Sequence, residues 1–256
     1  MIELRGVTKK FSVFTVVDDV SFVARPGEVL GYLGPNGAGK TTTIRMLAGL
    51  LEPTRGEILF EGRAIRRDIQ AFKERLGYVP EQSEIYPHLS ALDYLTMVGR
   101  LRRLPDRALK ARIVEFMDVF GLRHDMDGPL ASFSKGMKQK VLIAAALLHD
   151  PGVLLLDEPL SGLDVTTGLV IRDLIRRLAG EGKIIIYSSH VLEVTEQVCS
   201  RVIILHQGRV AADDSVANLR TLMHLPSLAD IFGQLVIHED TGLAADRLVG
   251  AMKAGG

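Results

Sequence analysis

The sequence predicts an α/β fold with a lobe of helices inserted into it. Short apolar runs bounded by turn or polar residues are typical of strands buried on both faces of a parallel sheet, and they lie at 29–33, 152–159 and 183–190. Segments with helical patterns separate these runs, at 40–51, 166–180 and 191–199. Because strands and helices alternate in this way, we expect an α/β core.

Two further β-rich runs, 16–24 and 57–65, have the pattern of strands with turns, and the second contains a Glu61-Gly62 turn. Between Ser90 and Leu148 the strand patterns disappear. The stretch 107–121 places apolar side chains at helical spacing, namely Leu109, Ile113, Phe116, Met117 and Phe120. The middle of the chain is therefore expected to form the helical lobe. From about Pro226 we expect a short helical appendage that ends loosely at 251–256.

Composition and charge exclude several classes of protein. The 256 residues carry a formal net charge of zero, so nothing demands a polyanionic partner. The Arg-rich segment 100–112 is interpreted as a solvated helix face, and no nucleic-acid partner is expected. No uncharged apolar stretch reaches the ~18–20 residues that cross a bilayer. The single cysteine, Cys199, excludes an intrachain disulfide framework, fits a reducing cytoplasm and is expected to be buried.

The stretch GPNGAGKT at 34–41, the phosphate loop, matches the pattern G-x-x-x-x-G-K-[ST] between an apolar strand and a helical pattern. Glycines let backbone N–H groups converge on phosphate oxygens, and the N-terminus of the following helix adds its dipole. Lys40 can reach the β- and γ-phosphates, and the Thr41 hydroxyl can bind Mg²⁺. The pattern predicts binding of a nucleoside triphosphate, although kinases, GTPases and motor ATPases share it.

Two carboxylates, Asp157 and Glu158, follow the apolar run 153–156. Ligands of open α/β sheets gather at the carboxyl ends of strands. Asp157 suits the Mg²⁺ shell, and Glu158 is placed to orient or deprotonate water. Repulsion between adjacent carboxylates beside phosphates can raise a pKa toward the range of a general base. A simple Asp-Glu turn is the alternative, which the neighbouring phosphate loop disfavours.

Five motifs, in this order, resemble those of ATP-binding cassette (ABC) transporter ATPase subunits: GPNGAGKTTT, FSKGMKQK, LLLDEP, SGLD at 161–164 and SSH at 188–190. The resemblance covers nearly the whole chain, from Ile2 to about Val236. It implies a P-loop NTPase (RecA-like) core with a small antiparallel β-subdomain and an inserted helical subdomain. It also implies a subunit that binds ATP and Mg²⁺ and hydrolyses ATP as a head-to-tail dimer with a second ABC subunit, identical or different.

The same resemblance implies a single nucleotide-binding domain over 1–225. Its α/β core would lie at about 1–82 and 151–225 and its helical subdomain at about 88–150, which leaves 226–256 as the appendage. The chain would be cytoplasmic, peripheral on the inner face of the cell membrane, and would drive a transmembrane permease subunit. The segment 83–95 would receive that membrane partner.

The resemblance also implies roles for single residues. The implied ATP-binding residues are Phe11, Gly34, Asn36, Gly37, Ala38, Gly39, Lys40, Thr41 and Thr42. Phe11 takes the place of the adenine-stacking aromatic residue, although a core position for Phe11 and a competing role for Phe14 stay open. The implied catalytic residues are Glu158, His190 and Lys40. His190 resembles the switch histidine that hydrogen-bonds the γ-phosphate and helps to hold the attacking water.

The signature segment, FSKGMKQK at 133–140, begins a helical pattern with lysines, although helix N-termini favour acidic residues. Considered without the rest of the chain, this segment has a simple explanation. Ser134 would be the N-cap of the helix, Gly136 would allow close packing, and the lysines would favour solubility. The resemblance instead implies that the segment faces the γ-phosphate of another chain through Ser134, Lys135, Gly136 and Met137. Asp164 would shape the dimer seam. The commoner family sequence here is Ser-Gly-Gly-Gln, so SKGM is a departure.

A second departure concerns a glutamine that the family usually has where the core strand meets the helical lobe. Counting back from YPHLS puts this position on Glu81, with Gln82 as its neighbour. A carboxylate can bind Mg²⁺ or accept a hydrogen bond from its water, but it cannot donate one and would repel the γ-phosphate. The expected metal ligands are therefore Thr41, Asp157 and Glu81, with Gln82 as the alternative to Glu81.

Export is favoured over import, because SKGM, the Pro-Glu pair at 80–81 and the short tail resemble bacterial exporter cassettes. The alternative function is that of a soluble ABC protein acting on ribosomes or DNA. Such relatives usually carry two cassettes in one chain, or coiled-coil or zinc-binding insertions. The sequence shows one cassette, one cysteine and no heptad run, which disfavours this alternative.

Overall fold

The computed structural model of the protein describes residues 1–82, 85–236 and 252. Their strands are β1 (Ile2–Phe11), β2 (Phe14–Ala24), β3 (Val29–Leu33), β4 (Arg55–Phe60), β5 (Arg63–Ala64), β6 (Leu76–Val79), β7 (Val153–Asp157), β8 (Ile184–Ser188), β9 (Arg201–His206) and β10 (Arg209–Ser215). Their α-helices are α1 (Lys40–Leu47), α2 (Ile69–Glu74), α3 (Ala91–Leu101), α4 (Asp106–Val119), α5 (Lys135–Leu147), α6 (Val165–Gly180), α7 (Leu192–Val198), α8 (Val216–Met223) and α9 (Leu228–Val236). Short 3₁₀ helices occupy Ile65–Arg67 and Leu130–Ser132.

The central sheet has the strand order β10-β9-β3-β8-β7-β6 within the described residues. Its strands pair in parallel, except that β10 pairs antiparallel with β9. Every residue of β3, β7 and β8 is buried, which explains why the sequence has continuous apolar runs there. The three predicted strands are thus confirmed, and their carboxyl ends meet at one edge of the sheet.

A second sheet is antiparallel, with the order β2-β1-β4-β5 in the described part of the chain. The predicted run 57–65 is two strands, because Glu61 and Gly62, with φ of 51° and 78°, turn the chain between β4 and β5. The sequence patterns do not predict β1. Its pairing with β2 shifts register repeatedly between Leu4 and Lys10, and these irregularities interrupt the two-residue alternation that marks a strand.

Helix α1 packs between the two sheets. Its residues Ile44, Met46 and Leu47 are fully buried, in one hydrophobic cluster with residues of β1 and β3. The helix ends at Leu47, before the predicted end at 51, and Gly49 follows with a left-handed φ of 63°. This packing holds the N-terminus of α1, and the phosphate loop before it, against the edge of the central sheet.

The middle of the chain is helical, as predicted. Helices α3, α4 and α5 pack against one another, and α5 also contacts β6. Four of the five predicted apolar positions of α4 and its C-terminus are buried, while Phe116 is half-buried. A β-carbon on Gly99 of α3 would lie 2.2 Å from Leu109 Cδ1, so glycine permits the close crossing of α3 and α4.

The last described helix, α9, packs against α7, α8 and β9, with Leu228 and Ile231 fully buried. The loose end predicted at 251–256 lies outside the described residues, apart from Met252. Cys199 is buried, as predicted. Among the helices that the structure describes, none is long and apolar enough to cross a membrane.

Candidate nucleotide-binding site

A cleft of about 260 Å³ opens at the carboxyl edge of β3, β7 and β8. It brings together most of the predicted phosphate, metal and catalytic residues from four separate parts of the chain. The lining residues are Val16, Asn36, Gly37, Gly39, Lys40, Thr41, Thr42, Glu81, Asp157, Glu158 and His190. The predicted residues Gly34 and Ala38 do not line it; Ala38 is buried beneath the loop.

The phosphate loop is held tightly against β2. Gly39, the N-cap of α1, has a φ of 101°, and a β-carbon there would lie 2.7 Å from the carbonyl oxygen of Val16. Gly37 also has a left-handed φ, of 80°. Glycine is required at these positions, because a side chain would strain the backbone or strike β2. The exposed N–H groups of the loop and of α1 form a cradle suited to phosphate oxygens.

The ammonium of Lys40 donates to the carbonyl oxygens of Gly34 and Pro35, at 2.6 and 3.0 Å. Burial lowers the pKa of Lys40, and the nearby carboxylates of Glu158, Asp157 and Glu81 oppose that shift by favouring the charged amine. Lys40 is therefore a cation held beside the cleft, within reach of phosphate oxygens placed in the cradle.

Asp157 ends β7 and is almost completely buried. Its Oδ2 atom has no hydrogen-bond partner among the described residues. Burial raises the pKa of Asp157 to about 6, and the neighbouring carboxylates of Glu81 and Glu158 act in the same direction. A buried carboxylate oxygen without a partner is costly, so this position suits a bound cation that would favour the charged form.

Thr41 and Glu81 add further oxygen atoms to the cleft beside Asp157. The Thr41 hydroxyl donates to Glu81 Oε2 at 3.4 Å, and Glu81 lines the cleft whereas Gln82 does not. In the described part of the chain, no three His, Cys, Asp or Glu side chains are placed to hold a metal ion by themselves. The donor set fits Mg²⁺, which binds through one or two carboxylates and takes its remaining ligands from water and substrate phosphates.

Glu158 adopts a left-handed backbone conformation, with φ of 51°. Its side chain is 11% exposed, and Oε1 lies 2.8 Å from Nδ1 of His190. Oε2 accepts a hydrogen bond from the Ser189 hydroxyl at 3.3 Å. The Glu158 carboxylate is thus aimed into the cleft and held by the residues that follow β8. This arrangement can orient and deprotonate a water molecule.

Phe11 lies at the end of β1, opposite Phe14 in the hairpin. The side chain of Phe11 is 47% exposed, which rules out the alternative core position, and Phe14 is 73% exposed. Lys9 Nζ lies 5.2 Å from the centre of the Phe11 ring. Neither phenylalanine lines the cleft. The cleft wall on this side is Val16, which sequence reasoning missed because nothing distinguishes it from other valines of β2.

The signature segment does not line the cleft of its own chain. Ser134 caps α5 by accepting a hydrogen bond from the Met137 N–H at 3.2 Å. Asp164 caps α6, accepting from the N–H and hydroxyl of Thr167, and forms a 3.0 Å ion pair with Lys140. The hydrogen bonds from Thr167 and Lys140 hold the pKa of Asp164 well below its usual range. The positive charge of Lys140 is thus paired with Asp164 of the same chain.

Comparison with known proteins gives consistent matches. A family model described as "ABC transporter" matches residues 17–161. The ABC transporter ATP-binding protein NatA of Bacillus subtilis (strain 168) is 41% identical over 215 residues, which cover 82% of this chain and 87% of that protein. The Nod factor export ATP-binding protein I of Paraburkholderia xenovorans (strain LB400) is 35% identical, over 91% of this chain and 76% of its own.

A solved structure extends the likeness to the fold. It is a dimeric ATP-binding cassette in a post-hydrolysis state, bound to ADP and Pi. The two chains superpose with a TM-score of 0.78 at 25% identity, over 84% of this chain and 98% of that one. This agreement confirms the P-loop NTPase fold expected from the motifs.

Proposed function

The chain belongs to the ABC transporter family as an ATP-hydrolysing subunit, and we propose that it drives export through a separate transmembrane permease. The observation that carries the ATP-hydrolysing part of this function is the cleft in which Lys40, Asp157, Glu158 and His190 converge. A nucleotide-binding subunit needs a phosphate cradle, a metal ligand and a base at one place. The chemistry of the cleft supplies all three.

The phosphate loop binds the phosphates of ATP in this proposal. Backbone N–H groups from Asn36 to Thr42 surround the β- and γ-phosphates, and Lys40 transfers its hydrogen bonds from the carbonyls of Gly34 and Pro35 to phosphate oxygens. The adenine lies toward the hairpin of β1 and β2, where Phe11 is exposed enough to stack on it. This assignment of Phe11 stays a prediction.

Thr41, Asp157 and Glu81 hold Mg²⁺ in the proposed site. When bound, this ion would neutralise charge on the phosphates as the terminal bond breaks. Glu81 accepts a hydrogen bond from the Thr41 hydroxyl, which keeps its carboxylate beside the position that the ion would take. Glu81 therefore serves in place of the glutamine that is usual in the family, and Gln82 remains outside the cleft.

Glu158 acts as the general base. Its carboxylate takes a proton from water as that water attacks the γ-phosphate in line. His190 holds Glu158 through Nδ1, at 2.8 Å, and its exposed ring can turn its other nitrogen toward the γ-phosphate. Hydrolysis in this scheme requires a second chain, because Ser134 and Gly136 lie outside the cleft of their own chain and can act only on a partner's nucleotide.

The division of the chain follows from the same proposal. The α/β core, at about 1–82 and 151–225, binds ATP, and the helical subdomain, at about 88–150, presents the signature segment. The permease contacts 83–95, of which Ser83 and Glu84 lie outside the described residues. We place the subunit at the cytoplasmic face of the membrane. Export is supported by the SKGM sequence and by the Nod factor export protein among the relatives.

The test is the Glu158→Gln variant. Glutamine keeps the size of the side chain but cannot accept the proton, so turnover should fall by about 10²–10⁴-fold while ATP binding is retained. The expected product is an ATP-bound dimer, detected by size-exclusion chromatography with ATP and Mg²⁺. Glu193→Gln, which neutralises an acidic residue of α7 outside the cleft, is the control. Unchanged turnover in Glu158→Gln would overturn the assignment of the base.

A further inference from the structure

We infer that Lys135 is a positioning residue that fixes the signature segment to the loop 159–164, the connecting loop, within one chain. This inference rests on the proposed function. The connecting loop joins Glu158 to Asp164 at the start of α6 and runs beside the first turns of α5. A contact between the connecting loop and α5 therefore sets the position of Ser134 relative to Glu158. Ser134 serves the partner's nucleotide, and Glu158 serves the nucleotide bound to its own chain.

The backbones of the two segments touch. A β-carbon on Gly136 would lie 2.3 Å from the carbonyl oxygen of Gly162, so only glycine allows this approach. Gly162 has a left-handed φ of 76°. Deeper in the interface, the buried Gln139 donates to the carbonyl oxygen of Pro159 at 3.1 Å. These contacts hold the connecting loop against the start of α5.

Two lysines extend the contact to the surface. Lys140, whose side chain is 15% exposed, pairs with Asp164 at 3.0 Å. The Lys135 ammonium donates to the Ser161 hydroxyl at 2.8 Å, and its carbon stem lies along Gly162, where an added β-carbon would be 3.3 Å from Cγ and Cδ of the lysine. Lys135 is adjacent to Ser134, so this bond holds the residue next to the predicted contact with the partner's phosphate.

The glycine that is commoner at this place in the family could not make the bond. Lys138, on the same helical turn, forms no side-chain hydrogen bond or ion pair with any described residue. The lysines of the signature segment therefore differ in role. Lys135 and Lys140 hold the connecting loop, and Lys138 contributes only charge.

The hydrogen bond between Lys135 and Ser161 supplies precise placement of the adjacent Ser134. A displacement of about 1 Å in a group that stabilises a transition state can cost a large factor in rate. Loss of an exposed, charge-assisted hydrogen bond corresponds to a factor of about three to ten. Lys135→Met should therefore lower kcat about threefold to tenfold, and should raise by a similar factor the ATP concentration that half-saturates dimerisation in a Glu158→Gln background.

The experiment is a double-mutant cycle on the full-length chain, with Lys135→Met, Ser161→Ala and both together. If Lys135 acts through Ser161, each single change gives a similar loss and the double variant is no worse than either. Lys135→Arg, which can still donate to Ser161, should restore most of the activity. Binding of a fluorescent ATP analogue to the dilute monomer and the midpoint of thermal unfolding should stay unchanged, which separates positioning from a loss of structure.

Three outcomes would overturn the inference and leave the proposed function standing. Losses that multiply in the double variant would mean that Lys135 acts directly on the partner's phosphate. An equal loss in Lys138→Met would mean that only the positive field matters, and full activity in Lys135→Met would remove the role. If the Glu158→Gln chain itself forms no dimer with ATP, the proposed function fails, and the inference fails with it.

Discussion

The half-buried His149 lies outside the cleft. It follows α5, its Nε2 donates to the carbonyl oxygen of Leu76 at 3.0 Å, and its Nδ1 is buried without a hydrogen-bond partner in the described structure. Burial, reinforced by the positive charge of Arg102, lowers the pKa of His149 to about 4. The residue is thus held neutral where α5 meets the start of β6.

This environment predicts a loss of stability in mild acid. The unfolded chain binds a proton at His149 below about pH 6.5, whereas the folded chain does so only near pH 4, so acidification through this window favours unfolding. With allowance for solvent screening, the loss is about 1–2 kcal/mol. His149→Gln should remove this part of the pH dependence, measured as the free energy of unfolding in urea between pH 7.5 and pH 4.5.

His124→Gln is the matched control, because His124 is exposed and forms no hydrogen bond or ion pair with the described residues. Its stability should follow that of the wild-type chain across the same range of pH. Parallel curves for wild type and His149→Gln would show that His149 does not contribute.

At the scale of elements, two helical glycines have opposite roles. Gly136 in the first turn of α5 faces the carbonyl oxygen of Gly162, whereas Gly168 in α6 has open space where a β-carbon would lie. Gly168→Ala should therefore raise stability by about 0.5–1 kcal/mol, the usual difference between alanine and glycine inside a helix. Gly136→Ala should lower stability, because α5 must move away from the connecting loop.

Thermal and urea unfolding of the two variants measure this contrast. ATP hydrolysis should follow it, with Gly168→Ala close to wild type and Gly136→Ala strongly impaired. Equal effects of both substitutions on stability would show that the backbones of α5 and the connecting loop are not in contact in solution.

Sequence periodicity predicts some of the helices and strands and misses others. The strands β3, β7 and β8 were predictable because burial on both faces requires continuous apolar residues. The register shifts of β1 hide its alternation. The predicted end of α1 was wrong because Gly49, in a left-handed conformation, ends the helix before the apolar pattern does. Local patterns thus identify regular elements and fail where the backbone departs from regular geometry.

At the scale of the whole molecule, the position of Ser134 outside its own cleft predicts separate effects on binding and on assembly. Ser134→Ala should leave binding of a fluorescent ATP analogue to the monomer nearly intact. Formation of the ATP-bound dimer, assayed in the Glu158→Gln background, and hydrolysis, assayed with Glu158 intact, should both be impaired. The substitution also removes the N-cap of α5, which costs about 1 kcal/mol of stability.

Ser215→Ala provides the control for the lost cap. Ser215 caps α8 in the same way, accepting from the Asn218 N–H at 3.1 Å, and lies outside the cleft and the signature segment. The Ser215→Ala variant should lose about as much stability as Ser134→Ala, yet it should hydrolyse ATP at the wild-type rate. Equal losses of monomer binding and dimer formation in Ser134→Ala would contradict a role in a second chain.

The sequence by itself determined the chemistry of the candidate site, because a phosphate cradle requires glycines and a lysine at set spacing and the acidic pair must follow a buried strand. Only the tertiary structure decided which of these groups meet. The strand order sets β7 beside β8, which brings Glu158 to His190. The packing of α5 brings Lys135 to Ser161, 26 positions away. Such contacts depend on how elements pack across the fold, and no local pattern of residues encodes which distant residues will meet.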